Sequence, residues 1–202
     1  MSTAAVSKRH ALGLPAGSVR SLHVLLVVAL FCIVLLIPPR NPERPVPIPP
    51  YVVYLLFIIL GHFFASSGEA QASPLHVPRG LLRLLIILIL GAAVGWKIYN
   101  DQTGMQAQFN ASVDELKLQP LLPVIILGGF FLGVLLRLVV GGDQPPWFQD
   151  LKAWTSIVAL VGLGIAVIIH SVINPSLAEP YSMPHWEGIL GAVIAFYFGE
   201  RS

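Results

Sequence analysis

Polar and apolar positions along this chain separate into long blocks and do not alternate. Six apolar runs stand out, at about 22–37, 51–65, 81–98, 121–140, 153–173 and 186–199, and the segments between them hold most of the charges. A helix needs about 20 predominantly apolar residues to cross the hydrocarbon layer of a bilayer. The third, fourth and fifth runs meet that directly, and the first does so when Ser21 and Pro38 are counted. The second reaches that length only by drawing in 46–50, and the sixth is the shortest. Strands exposed to lipid would need a closed barrel with alternating polar and apolar residues, which these runs do not show. The pattern predicts an all-α integral membrane protein, a compact bundle of about six transmembrane helices. The expected spans are 21–38, 47–65, 80–98, 121–140, 153–173 and 185–200, in a single domain over 21–202 behind a polar, basic tail at 1–20.

Proline placement supports the same division. Of 17 prolines, seven lie between Pro38 and Pro50, and others, such as Pro120, Pro123, Pro175 and Pro184, fall in connections or first turns. Proline inside a helix removes a backbone hydrogen bond and clashes with the preceding turn, so it belongs at the borders of spans. The hairpin 38–50 reads as an extended, stiff spacer near polyproline geometry. Lys8, Arg9 and Arg20 ahead of the first run resemble a secretory signal, but IPPRNPERP follows without a small-residue cleavage site, so a retained signal anchor is expected.

Composition narrows the class. The chain is 55% hydrophobic and 11% charged, well below the roughly 25% charge of an average soluble domain. A net charge of +2 without a basic, aromatic-laced run sets nucleic acid aside as a partner. Cys32 is the only cysteine, which excludes an intramolecular disulfide and cysteine-based metal clusters. With the N-terminus inside and six spans, the inner side receives Lys8, Arg9, Arg20, Arg79, Arg83, Arg137, Lys152 and Arg201. The outer side receives Arg40, Arg44, Lys97 and Lys117. That bias follows the positive-inside rule. It predicts an integral membrane location, read as the bacterial inner membrane, with both termini cytoplasmic.

The longest connection, 100–119, carries Met105, Phe109, Val113 and Leu116 at helical spacing. Ser112 and Glu115 match a capping box. One short amphipathic helix on the outer surface is expected there. Asn110-Ala-Ser112 matches a glycosylation sequon.

Helices in lipid associate through small residues and polar contacts. Gly91 with Gly95 and Gly129 with Gly133 have GxxxG spacing, Gly162 and Ala166 repeat it, and Gly191, Ala195 and Gly199 form one stripe. These are the expected packing positions, with the terminal stripe the candidate face for a partner or a second copy. Arg79, Arg83 and Arg137 lie at inner span ends, where they can snorkel to headgroups as lipid anchors.

No catalytic residue emerges: there is no G-x-S-x-G, and the span interiors lack aspartate and glutamate. No metal spacing is present among the six histidines. His23 and His62 fall toward the inner side on neighbouring helices and could ligate a haem axially, although no cofactor is required. His170 and His185 lie toward the outer side, with Glu179 and Glu187 near them. The C-terminal GAVIAFYFGERS resembles small bacterial membrane proteins, some of them holin-like, but covers one helix and carries no family assignment. The function expected is that of a non-catalytic structural or accessory subunit of a larger membrane assembly. Its partners would be lipids and other membrane subunits or further copies of itself. A homo-oligomeric pore and a haem- or quinone-binding redox subunit are the alternatives.

Overall fold

The structure is a computed structural model that describes residues 18–38, 46–65, 81–140, 145–177, 181 and 185–200. Within these residues the chain is all helical, without a strand. The helices are α1 (Ser18–Leu36), α2 (Pro50–Ala65), α3 (Leu81–Leu118), α4 (Leu122–Val140), α5 (Pro146–Ile168) and α6 (Trp186–Glu200). Four helical stretches are long and apolar enough to cross a membrane: α1, α3, α4 and Trp147–Ser176, which takes in α5 from its second residue and the turns that follow it. At 16 and 15 residues, α2 and α6 are only about 24 and 22 Å long.

Successive helices run in opposite directions. The N-terminal part of α1 meets the C-terminal part of α6, where His23 stacks on Tyr197 with ring centroids 5.3 Å apart. Arg83 at the start of α3 donates to the Phe63 carbonyl at the end of α2 at 3.2 Å. Lys152 near the start of α5 meets Glu200 at the end of α6. The even-numbered helices α4 and α6 therefore run parallel, and their contacts advance together. Gly188 borders Leu122 and Ile125, Gly191 borders Ile126, Gly129 borders Ala192, and Gly133 borders Phe196.

The core lies around α1, α2 and α6. Val24, Val27 and Leu35 of α1, Leu55 and Ile59 of α2, and Ile194 and Phe198 of α6 are all fully buried. The α4–α6 contact is made by backbone. A Cβ on Gly199 would overlap the Phe130 carbonyl, and one on Gly133 would overlap the Phe196 carbonyl, so only glycine lets these helices approach so closely. Ala195 is fully buried as well. The stripe expected to be offered to a partner thus faces the inside of this chain.

The outside of the bundle is apolar. Leu84, Ile87 and Leu88 of α3, and Phe131, Leu135 and Leu138 of α4, are all more than half exposed. Gly91 and Gly95 sit on this outer surface, and a Cβ on either would meet nothing within 4 Å.

The amphipathic segment is present, but as the second half of α3. The helix breaks at Asp101 (φ −156°, ψ 66°) and resumes at once. Asp101 itself caps the new helix: its Oδ1 accepts from the Gly104 N–H at 2.9 Å, the geometry of an N-cap. The Ser112–Glu115 capping box is therefore not used. Ser112 lies mid-helix, donates to the Gln108 carbonyl at 2.7 Å, and accepts from the Ile48 N–H at 2.7 Å. Gln108, 4% exposed, donates to the Val34 carbonyl at 3.1 Å and satisfies one of the carbonyls left open at the end of α1. The inward stripe of this half-helix is thus polar, whereas Phe109 and Val113 are exposed. Residues 102–118 form a lid across one end of the bundle, called the capped end below.

Candidate functional site

Ionisable side chains gather at both ends of the bundle. At the far end, Lys152 Nζ and Glu200 Oε1 lie 2.5 Å apart with side chains 7% and 8% exposed. The ammonium also sits 4.8 Å from the Phe148 ring centroid, a cation–π geometry. His23 and His62 belong to the same end. The His23 ring is fully buried, its Nδ1 lies 2.8 Å from the Val19 carbonyl, and both imidazoles pack edge-on to Phe198 at 6.1 and 5.7 Å. The two histidines thus sit in an aromatic core with Tyr197 and Phe198.

Of the expected lipid anchors, Arg83 lies with its guanidinium 5.6 Å from the Phe63 ring centroid and 5.9 Å from that of Phe64. Arg137 is exposed, and Arg79 falls outside the described residues.

The capped end holds a different set. The regular bonding of α5 gives way to a π-turn at Ile169–Ile173 and a 3-10 turn at Asn174–Ser176. The Asn174 N–H reaches back to the Ile169 carbonyl, and Pro175, without an N–H, cannot continue the ladder. The widened turn leaves His170 in the wall of a cleft between the end of α5 and the start of α6. Asn174 then fixes the following chain with two hydrogen bonds: its Nδ2 donates to the Tyr181 carbonyl at 2.8 Å, and its Oδ1 accepts from the Tyr181 N–H at 3.0 Å. Tyr181 is held beside Trp186 and Glu187 of the first turn of α6. The cleft has a volume of about 230 Å³, and Ile165 and Ala166 supply part of its apolar wall.

Glu115 reaches this place from the lid. Its Oε1 lies 3.7 Å from His170 Nε2, longer than a hydrogen bond. The Pro47 carbonyl faces the same imidazole. Glu115 Oε2, His170 Nε2 and the Tyr51 hydroxyl are buried without a hydrogen-bond partner among the described residues. Tyr51, in the first turn of α2, is 2% exposed and lies within electrostatic reach of both Glu115 and Glu187. Burial first, and then the Glu187 carboxylate, push the Glu115 carboxyl up to about 7. No group of three histidine, cysteine or acidic side chains able to hold a metal occurs among the described residues.

The fold thus brings His170 and Glu187 together and leaves His185 exposed in the turn ahead of α6. Glu179 lies outside the described residues. Sequence reading missed Glu115, because the apolar stripe drew attention to the opposite face of its helix. It also missed the Lys152–Glu200 pair, whose members are 48 positions apart. Their common signal was position: each lies at the same end of its helix pair once the helices alternate. No family model, curated protein or solved structure matches the chain.

Proposed function

We propose that this chain is a non-catalytic polytopic membrane protein that serves as a structural or accessory subunit of a larger membrane assembly. The observation that carries the reading is the contrast between its glycine pairs. Gly129 and Gly133 are enclosed by α6, whereas Gly91 and Gly95 open onto an apolar outer face. A glycine facing lipid costs a helix about 1 kcal/mol relative to alanine and gains no contact. The same residue against a neighbouring helix permits close approach. The face of α3 is therefore read as the contact for another membrane subunit.

In this reading α1, α2, the first half of α3, α4, α5 and α6 lie within the bilayer, in the inner membrane of a bacterium, and the lid lies at its surface. Alternating helix directions put the start of α1 and the end of α6 at one end, and the charge bias makes that end cytoplasmic. The shortness of α6 is compatible with the bilayer because it is wrapped by protein: nine of its residues, from Gly188 to Glu200, are buried. A homo-oligomeric pore built on the Gly191–Ala195–Gly199 stripe is less well supported, since that stripe is occupied within the chain. A haem between His23 and His62 would have to displace Phe198.

Co-purification from membranes in mild detergent tests the proposal. Companions should be retained by the natural chain and lost on Gly91→Leu together with Gly95→Leu, while the variant stays folded and monodisperse. A natural chain that runs alone, without companions or further copies, would sink it.

A further inference from the structure

We infer that the cleft at the capped end is a binding site for a small organic cation, an alkylammonium with a short apolar body. Four observations converge on this ligand class. The first is charge. Glu187 lines the cleft, Glu115 lies against His170 in its wall, and no lysine or arginine lines the cleft among the described residues. Partly buried carboxylates call for a positive partner, and beside Glu115 the chain supplies an imidazole at 3.7 Å.

The second is the aromatic pair. Trp186 and Tyr181 both line the cleft, and Tyr181 is held there by the Asn174 clamp. An ammonium beside a carboxylate and an aromatic face is stabilised by both. The third is His170 Nε2, a nitrogen in the cleft wall that is buried without a hydrogen-bond partner among the described residues. An imidazole nitrogen without a partner can accept from an N–H donor or from water bound with one.

The fourth is size and wall chemistry. A volume of about 230 Å³ lies below the roughly 300–1,000 Å³ of sites for drug-sized ligands, which limits the occupant to a compact molecule. Ile165 and Ala166 give it an apolar wall that a short alkyl chain fits and a hydrated metal ion does not. Hard cations need a cage of several oxygens, and no such group is present among the described residues.

The test uses the full chain in mild detergent or nanodiscs, with n-butylammonium as the probe and butyrate and magnesium as controls. Binding is read by isothermal titration and by the shift in thermal midpoint. The expected result at about pH 8 is saturable binding of n-butylammonium and none of butyrate. Glu187→Gln should weaken binding by at least about ten-fold, since it removes a charged contact. Trp186→Leu should weaken it by a smaller factor, and Trp186→Phe should retain it. If Glu187→Gln does not yield a folded protein, Glu115→Gln takes its place, and binding to it must be measurably weaker than to the natural chain. Unsaturable binding, equal affinity in the carboxamide variants, or tighter binding of magnesium than of n-butylammonium would each overturn the assignment. The readout is independent of companions, so it stands apart from the α3 interface and can fail without it.

Discussion

At the far end of the bundle, Lys152 and Glu200 bury two opposite charges against each other at 2.5 Å. At the capped end, Glu115 and Glu187 are brought near one another, with His170 and Tyr51 facing the same space. Both ends draw ionisable groups partly or wholly out of water, yet among the described residues only the first sets a lysine against its acid. A balanced pair locks two helices together and leaves little for anything else to bind. An unbalanced cluster is tolerated only if protons or an outside partner complete it. The same bundle thus has one end whose charges are paired and one whose acids are completed by a proton or by a cation.

The sharpest way to break this comparison is to remove one acid from each end. Glu200→Gln leaves the Lys152 ammonium buried with a neutral partner, and stability should fall by about 3–5 kcal/mol. Glu187→Gln should leave it unchanged or raise it at about pH 8. Equal losses on thermal unfolding in detergent would erase the distinction between the ends.

The next effect is pH dependence. The Glu115 carboxyl ordinarily titrates at 4.5 and is raised to about 7 in the fold. Below 4.5 both folded and unfolded chains hold the proton, so the group contributes nothing. Between 4.5 and about 7 the unfolded chain loses it first, so stability falls as pH rises, and it levels off above about 7. With about 1.4 kcal/mol for each pKa step of one, the whole change is on the order of 3 kcal/mol. Burial is the main cause and Glu187 on α6 the second, while His170 on α5 and Tyr51 on α2 face the same space. Thermal midpoints measured across this range should decline in the natural chain and decline less in Glu115→Gln. An identical slope in both would remove Glu115 from the account.

Gln108→Leu should come third. It frees the Val34 carbonyl from its hydrogen bond and turns the inward stripe of the lid apolar, with a loss of about 1–3 kcal/mol. Increased amide exchange confined to the lid and the end of α1 would show it. The smallest effect should come from Asp114→Asn. Its partner Lys117 lies 2.7 Å away, but both side chains are more than 70% exposed, and exposed pairs contribute little. A measurable loss of stability there would mean that the outer side of the lid is covered by something.

Much of the helical layout was legible in the sequence, because apolar runs between prolines leave few alternatives. Pro50 and Pro146 open α2 and α5, and Pro175 lies in the 3-10 turn that closes the helical stretch after α5. The break in α3 was not legible at its true place: Ser112 and Glu115 offered a familiar capping pattern, while the residue that caps, Asp101, acts through a local bond to Gly104. Of the candidate site, His170 and Glu187 could be placed at one end by counting spans. Glu115 could not, since a polar residue on an amphipathic helix ordinarily faces water, and here that stripe turns inward to meet the open end of α1. The roles of the glycines were beyond spacing alone, because Gly91–Gly95 and Gly129–Gly133 read alike and differ only in what lies opposite.

The burial of α6 bears on how the protein is made. Translation delivers α1 to α5 first, and the helix that fills the space among α1, α2, α4 and α5 emerges after all of them. Until it arrives, the backbone groove along Gly129 and Gly133 is uncovered and Lys152 has no Glu200 to meet. The first five helices should therefore pack more loosely until α6 docks and closes the bundle.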